Sequence, residues 1–121
     1  MTTTKAQGDA AEDSALGYLL ERGLRLAARN YRTPGRGGGE IDLVLWDRDG
    51  TLVFVEVRKR ASRAYGGALG SITAAKQRRI VLTARHYLLR LRTQPPCRFD
   101  VVCMEEGGGI QWMRAAFDAG T

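Results

Sequence analysis

The sequence predicts a single α/β domain in which a mixed β-sheet is flanked by helices, and three observations carry that prediction. Helical and strand-like periodicities alternate along the chain, no second domain or linker interrupts them, and residues 41–46 and 52–59 are rich in Val, Ile, Leu and aromatics on both alternating faces. Strands that are apolar on both faces are covered on both faces, so this pair belongs at the centre of a sheet with other layers packed on it. With 121 residues, 44% of them hydrophobic, residues 1–121 are sized for one modest core, and no repeat is visible.

Residues 1–7 read as a frayed start. In residues 8–22 the apolar positions Ala11, Ala15, Leu16, Leu19 and Leu20 recur at helical spacing, and Gly23 provides a stop. Residues 24–31 read as a strand or extended piece, and 33–39 as a Pro/Gly/Arg loop. Residues 41–46 and 52–59 flank Asp47-Arg48-Asp49-Gly50, the composition of a hairpin turn. Residues 61–70 form another loop. Residues 72–91 carry Ile72, Ala75, Ile80, Ala84, Tyr87, Leu88 and Leu91 near one helical face. Pro95 and Pro96 end that region; residues 98–104 and 110–114 are strands separated by Gly107–Gly109. This order gives an α+β or mixed α/β sandwich.

The hairpin carries the chemistry. Side chains alternate along a strand, so Glu40, Asp42, Val44 and Trp46 are expected to share one face. A three-residue loop, Arg48-Asp49-Gly50, puts glycine at the left-handed position such loops require, pairs Asp47 with Thr51, and sets Asp42 opposite Glu56 and Glu40 opposite Arg58. A two- or four-residue loop would put the two carboxylates on opposite faces. In the first register Asp42 and Glu56 lie at the semi-buried end of a core hairpin, where adjacent carboxylates repel and are costly to desolvate. Two arrangements offset that cost. One is a divalent cation with oxygen ligands; the other is a local network in which Arg58 pairs with Glu40 or Glu56.

Lys and Arg outnumber Asp and Glu by 19 to 13, a formal charge of +6, which favours phosphate-rich polymers as partners. No run is long enough to span a bilayer, and the N-terminus lacks the layout of an export signal, so no membrane and a cytoplasmic location are expected. Cys97 and Cys103 have no C-x-x-C spacing and read as ordinary thiols; the lone His86 offers no metal or triad partner set. Arg36, Arg60, Arg63 and Lys76 are candidates to rim the site and grip backbone phosphates, while Tyr65 and Trp112 could stack on bases or simply pack.

Gly39-Glu40-Ile41-Asp42-Leu43-Val44, followed by Leu52-Val53-Phe54-Val55-Glu56-Val57-Arg58-Lys59-Arg60, resembles the YraN-type family of small bacterial proteins, within the PD-(D/E)XK, restriction-endonuclease-like superfamily. The opening Gly8-Asp9-Ala10-Ala11-Glu12, Tyr65-Gly66, Lys76 and Arg98-Phe99-Asp100-Val101-Val102 fit as well, so the resemblance spans roughly residues 8–117. It implies a restriction-endonuclease-like fold and a metal-dependent phosphodiesterase of DNA, with branched or single-stranded forms among the candidate substrates. Carried over, Asp42, Glu56 and the Val57 carbonyl would hold Mg²⁺ or Mn²⁺. Glu12 resembles the extra carboxylate of resolvase-like members, and reads equally as an acid favoured near a helix N-terminus. The superfamily's third residue is usually lysine, and here it is Arg58. A guanidinium stays protonated at any working pH, so Arg58 is read as a fixed cation and Lys76 as the candidate displaced lysine. The rival implication is a catalytically silent nucleic-acid-binding module or an adaptor with a DNA-processing protein partner; a homodimer stays open in either case.

Overall fold

The computed structural model describes residues 4–35, 38–59 and 72–119, with side chains from Gly8 onward. Its elements are α1 (Thr4–Glu21), β1 (Arg25–Arg32), β2 (Glu40–Trp46), β3 (Leu52–Lys59), α2 (Ala74–Leu88), β4 (Cys97–Met104) and β5 (Ile110–Phe117). The strands form one five-stranded sheet in chain order, β1-β2-β3-β4-β5. β1–β2, β2–β3 and β4–β5 are antiparallel and β3–β4 is parallel, so the sheet is mixed. This is the predicted α/β class, in an arrangement consistent with a restriction-endonuclease-like fold. Among the described residues no helix is long and apolar enough to cross a membrane.

The two sheet faces are separately covered. On one, Ala15 and Leu19 of α1 pack with Leu43, Leu45, Val53, Val55 and Val102. On the other, Ile80, Val81, Ala84 and Tyr87 of α2 pack with Val44, Leu52, Phe54 and Phe99. The apolar runs of β2 and β3 therefore supply both cores, as two-sided burial requires. α1 ends in a Schellman arrangement: Leu24 N–H donates to Leu19 O and Gly23 N–H to Leu20 O, with Gly23 at φ 95°. It begins at Thr4, four residues ahead of the expected start, because nothing in Thr4-Lys5-Ala6-Gln7 breaks a helix. α2 is shorter than its periodicity suggested. Thr73 caps it by accepting from Lys76 N–H, and it gives way to tight turns at Leu89–Leu91.

The hairpin register is the three-residue solution. Trp46 pairs with Leu52, Val44 with Phe54 and Leu43 with Val55, Asp47 N–H donates to Thr51 O, and Gly50 takes φ 88°. The ladder ends at Leu43–Val55, however. One step on, Val57 N–H donates to the Asp42 side chain at 2.8 Å.

Face-sharing along β2 departs from simple alternation at this point. Leu43 and Leu45 lie on the α1 side, yet Ile41 packs with the α2-side core. Glu40 pairs with Arg32 of β1, in the ladder and as an ion pair of 2.8 Å, rather than with Arg58. The expectation that Glu40, Asp42, Val44 and Trp46 share a face is corrected accordingly. β5 also runs on past its predicted end at residue 114 to Phe117, because a register shift opposite Phe99/Val101, with Ala115 at φ 50°, re-forms the pairing.

Candidate metal centre

Asp42 sits where β2 and β3 part. A side-chain oxygen takes the place of a ladder acceptor for the Val57 N–H, and the residue is half-buried. Desolvation first, and then the Glu56 charge, push its carboxyl pKa up from the ordinary 3.8 to about 8, against the lowering effect of the Val57 N–H; Glu12 and Glu40 raise it further. Four carboxylates thus act on one another at the open end of the hairpin.

On the α1 side of Asp42, oxygens of Glu12, Glu40 and Asp42 all lie within 4.8 Å of one another. Glu12 comes from α1 and Glu40 from the first position of β2; Asn30 of β1 joins them, its Nδ2 donating to Glu12 Oε1 at 2.9 Å and to Glu40 Oε1 at 3.0 Å. Arg29 and Arg32 flank the pair, Arg29 at 3.5 Å from Glu12 but closer to Asp13 at 2.6 Å. An open cleft of about 410 Å³ lined by Gly8, Asp9, Glu12, Asn30, Arg32 and Glu40 leads to this group.

On the other side of Asp42 lies Glu56, buried at 6% exposure on the next strand. Lys76 Nζ from the first turn of α2 is 3.6 Å from Glu56 Oε1, and Arg58 Nη1 is 3.5 Å from the same oxygen. Of the residues singled out from sequence, the structure gathers Glu12, Asp42, Glu56, Arg58 and Lys76 at one end of the hairpin. Val57 contributes its N–H to Asp42. Arg36, Arg60, Arg63 and Tyr65 lie outside the described residues. Trp112 is structural: its indole N–H donates to the buried Asp100 at 2.9 Å and its ring meets Tyr18 edge-on. His86 hydrogen-bonds Tyr31 OH, and both cysteines are free thiols.

Two participants escaped the sequence reading. Strict alternation sets Glu40 opposite Arg58, whereas the structure pairs it with Arg32. Asn30 lies inside a strand pattern, and its only signal is that asparagine is depleted in strands and tolerates left-handed backbone.

A family model described as "Uncharacterised protein family UPF0102" matches residues 11–104, a span holding every residue of this centre. The chain belongs to the UPF0102 family. It is 71% identical over 119 residues to a UPF0102 protein of Paracidovorax citrulli (strain AAC00-1), covering 98% of this chain and 87% of that one. It is 67% identical over 117 residues to a UPF0102 protein of Acidovorax sp. (strain JS42), covering 97% and 88%. A UPF0102 protein of Methylibium petroleiphilum (strain ATCC BAA-1232 / LMG 22953 / PM1) is 63% identical over 122 residues, covering 98% and 99%. UPF0102 relatives therefore match β5 as well, beyond the span of the family model.

Proposed function

We propose that this chain is a Mg²⁺- or Mn²⁺-dependent phosphodiesterase that cleaves DNA in the cytoplasm. The observation that carries the reading is the convergence of Glu12, Glu40 and Asp42 within 4.8 Å, with Glu56 and a lysine beside them. The donor set is all carboxylate oxygen, which suits a hard divalent cation, and burial first and then the neighbouring carboxylates disfavour ionised Asp42, a cost that such a cation would offset. Asp42 would be the common ligand. The resemblance adds Glu56 and the Val57 carbonyl, and the geometry favours Glu12 and Glu40. When bound, the ion would polarise a phosphodiester and ease deprotonation of the attacking water.

The chain's own residues support the remaining requirements. Lys76 holds an ammonium beside Glu56, approaching from a helix rather than from the strand position where Arg58 stands. A lysine there can stabilise charge on the phosphate or orient a water, and Arg58 adds a second, permanently charged group. The formal charge of +6 favours DNA over a small phosphodiester, since contacts to successive phosphates add.

Arg58 also favours a second reading, a nucleic-acid-binding module that keeps the carboxylates without turnover. Cleavage of linear, nicked, flapped and four-way DNA with Mg²⁺ or Mn²⁺ separates the two. The natural protein is expected to cut at least one form, and Asp42→Ala to lose the activity by about three decades. DNA binding that weakens steeply with salt, without cleavage of any form, would select the second reading.

A further inference from the structure

We propose that Asn30 is the positioning residue of the acidic centre: its side-chain amide clamps Glu12 of α1 to Glu40 of β2 and so fixes both beside Asp42. The inference rests on the metal-centre reading above and adds to it a residue that would touch neither metal nor substrate.

Three observations converge on Asn30. The first is its backbone. Asn30 has φ 53° in the middle of β1, a left-handed conformation that strand residues avoid and that asparagine tolerates better than other side chains except glycine. The second is its register. Arg29 pairs with Leu43 and Tyr31 with Ile41, so Asn30 lies opposite Asp42. At this step both strands change sides. Arg29 contacts Asp13 and the Asp9 carbonyl of α1 and Leu43 packs in the α1-side core, whereas Tyr31 and Ile41 pack in the α2-side core. In a regular strand residues two apart share a face. The left-handed turn at Asn30 breaks that rule on β1 and lets consecutive residues Arg29 and Asn30 both address α1.

The third observation is the chemistry of the clamp. An amide nitrogen carries two hydrogens, and the two acceptors at 2.9 and 3.0 Å are carboxylates on two different elements. With acceptors on both sides, only the nitrogen can point there. A neutral donor orients two carboxylates without cancelling their charge. A lysine in its place would neutralise the centre and compete with a divalent cation. Partners that orient ligands in this way typically govern metal affinity by 10–100-fold.

The test compares the natural protein with Asn30→Gly, which keeps the left-handed backbone without strain and removes both donors. Mn²⁺ binding is measured by calorimetry, and metal-free melting by circular dichroism. Asn30→Ser, whose hydroxyl cannot span two carboxylates, carries the comparison should the glycine variant not fold. The expected result is Mn²⁺ affinity at least tenfold lower, with metal-free melting shifted by only a few degrees. In a Glu12→Gln background the further loss from Asn30→Gly should shrink, because the two changes act through one ligand pair. Unchanged Mn²⁺ affinity in a folded Asn30 variant, or full additivity with Glu12→Gln, overturns the positioning role alone. A natural protein that takes up no Mn²⁺ overturns the metal-centre reading and this inference with it.

Discussion

Asp42 and Asp47 stand at opposite ends of β2, one at the site where the hairpin opens and the other at its turn, and their surroundings push them in opposite directions. Asp42 is desolvated and faces Glu56, Glu12 and Glu40, and its pKa is pushed up to about 8. Asp47 is partly desolvated, which works against ionisation, but Arg98 and the Arg48 N–H outweigh that and hold its pKa below the ordinary value. The turn end continues into a buried network. Arg98 Nη1 reaches Asp47 at 2.8 Å and its Nε reaches both Asp100 oxygens at 3.1 and 3.2 Å, while Asp100 also accepts from Trp112 Nε1 and Ala115 N–H. Arg98 Nη2 is the one buried side-chain polar atom among the described residues without a hydrogen-bond partner. At the turn end the cations outweigh desolvation; at the open end desolvation and neighbouring carboxylates prevail at Asp42, although Arg29, Arg32, Arg58 and Lys76 pair with Glu12, Glu40 and Glu56. On the proposed reading, that contrast separates a structural staple from a cation site.

The sharpest way to break the contrast is to remove one carboxylate from each end. Asp100→Ala would leave Arg98 Nε, the Trp112 indole N–H and the Ala115 N–H without their buried acceptor, and should cost about 3–5 kcal/mol in urea unfolding. Asp42→Asn keeps an acceptor for the Val57 N–H and should cost nothing at neutral pH without metal. Equal losses at both ends would erase the distinction.

The arginines supply the next test. Arg98 fits its two partners through several short bonds, whereas Arg58 meets Glu56 at 3.5 Å with 29% of its side chain exposed. Arg58→Ala should lower DNA cleavage by about one to three decades, as for loss of one charge-stabilising group. Arg58→Lys should hold or raise the rate, because it restores the lysine usual at that position; a drop as large as that of alanine would show that the guanidinium itself is required.

A smaller effect is expected from pH. Folded Asp42 keeps its proton up to about 8, whereas an unfolded aspartate releases it near 3.8. Between those values the folded state binds more protons, so metal-free stability should fall as pH rises through that window. Asp42→Asn should flatten this slope and melt several degrees higher than the natural protein at pH 8. Thermal melts across pH 4–9 in chelator measure it; parallel slopes for the two proteins would mean that Asp42 is not the group that keeps its proton.

How much of this was legible from sequence follows from which signals are local. Gly50 at the third loop position favours the register that the structure adopts, and the apolar runs of β2 and β3 point to layers on both faces. Asp42 and Glu56 stand out as acids amid a core pattern, whereas Glu12 and Lys76 enter the centre through what the resemblance implies. The turn of the strands at Asn30 is legible only in the asparagine itself, since Tyr31 and Arg32 alone follow it in β1, too few to reveal a change of face by hydrophobic periodicity. The Asp47–Arg98–Asp100 network is hidden for a different reason: Asp47 is far in sequence from Arg98 and Asp100 and meets them only when β4 lies parallel to β3.

That parallel pairing also orders assembly in time. β1, β2 and β3 join through neighbouring antiparallel contacts, and hairpins of this kind form in about 1–10 μs. β4 can reach β3 only after the long connection carrying α2 has closed, a step that costs more loop entropy. The Glu40–Asp42 side of the centre can therefore form early, from the first three strands and α1. Lys76 arrives at Glu56 with the crossover, so the repelling carboxylates come together before the lysine that partly relieves them. Early steps would therefore bear the carboxylate repulsion in full, and a nascent chain ending before residue 76 would carry the acids without that ammonium.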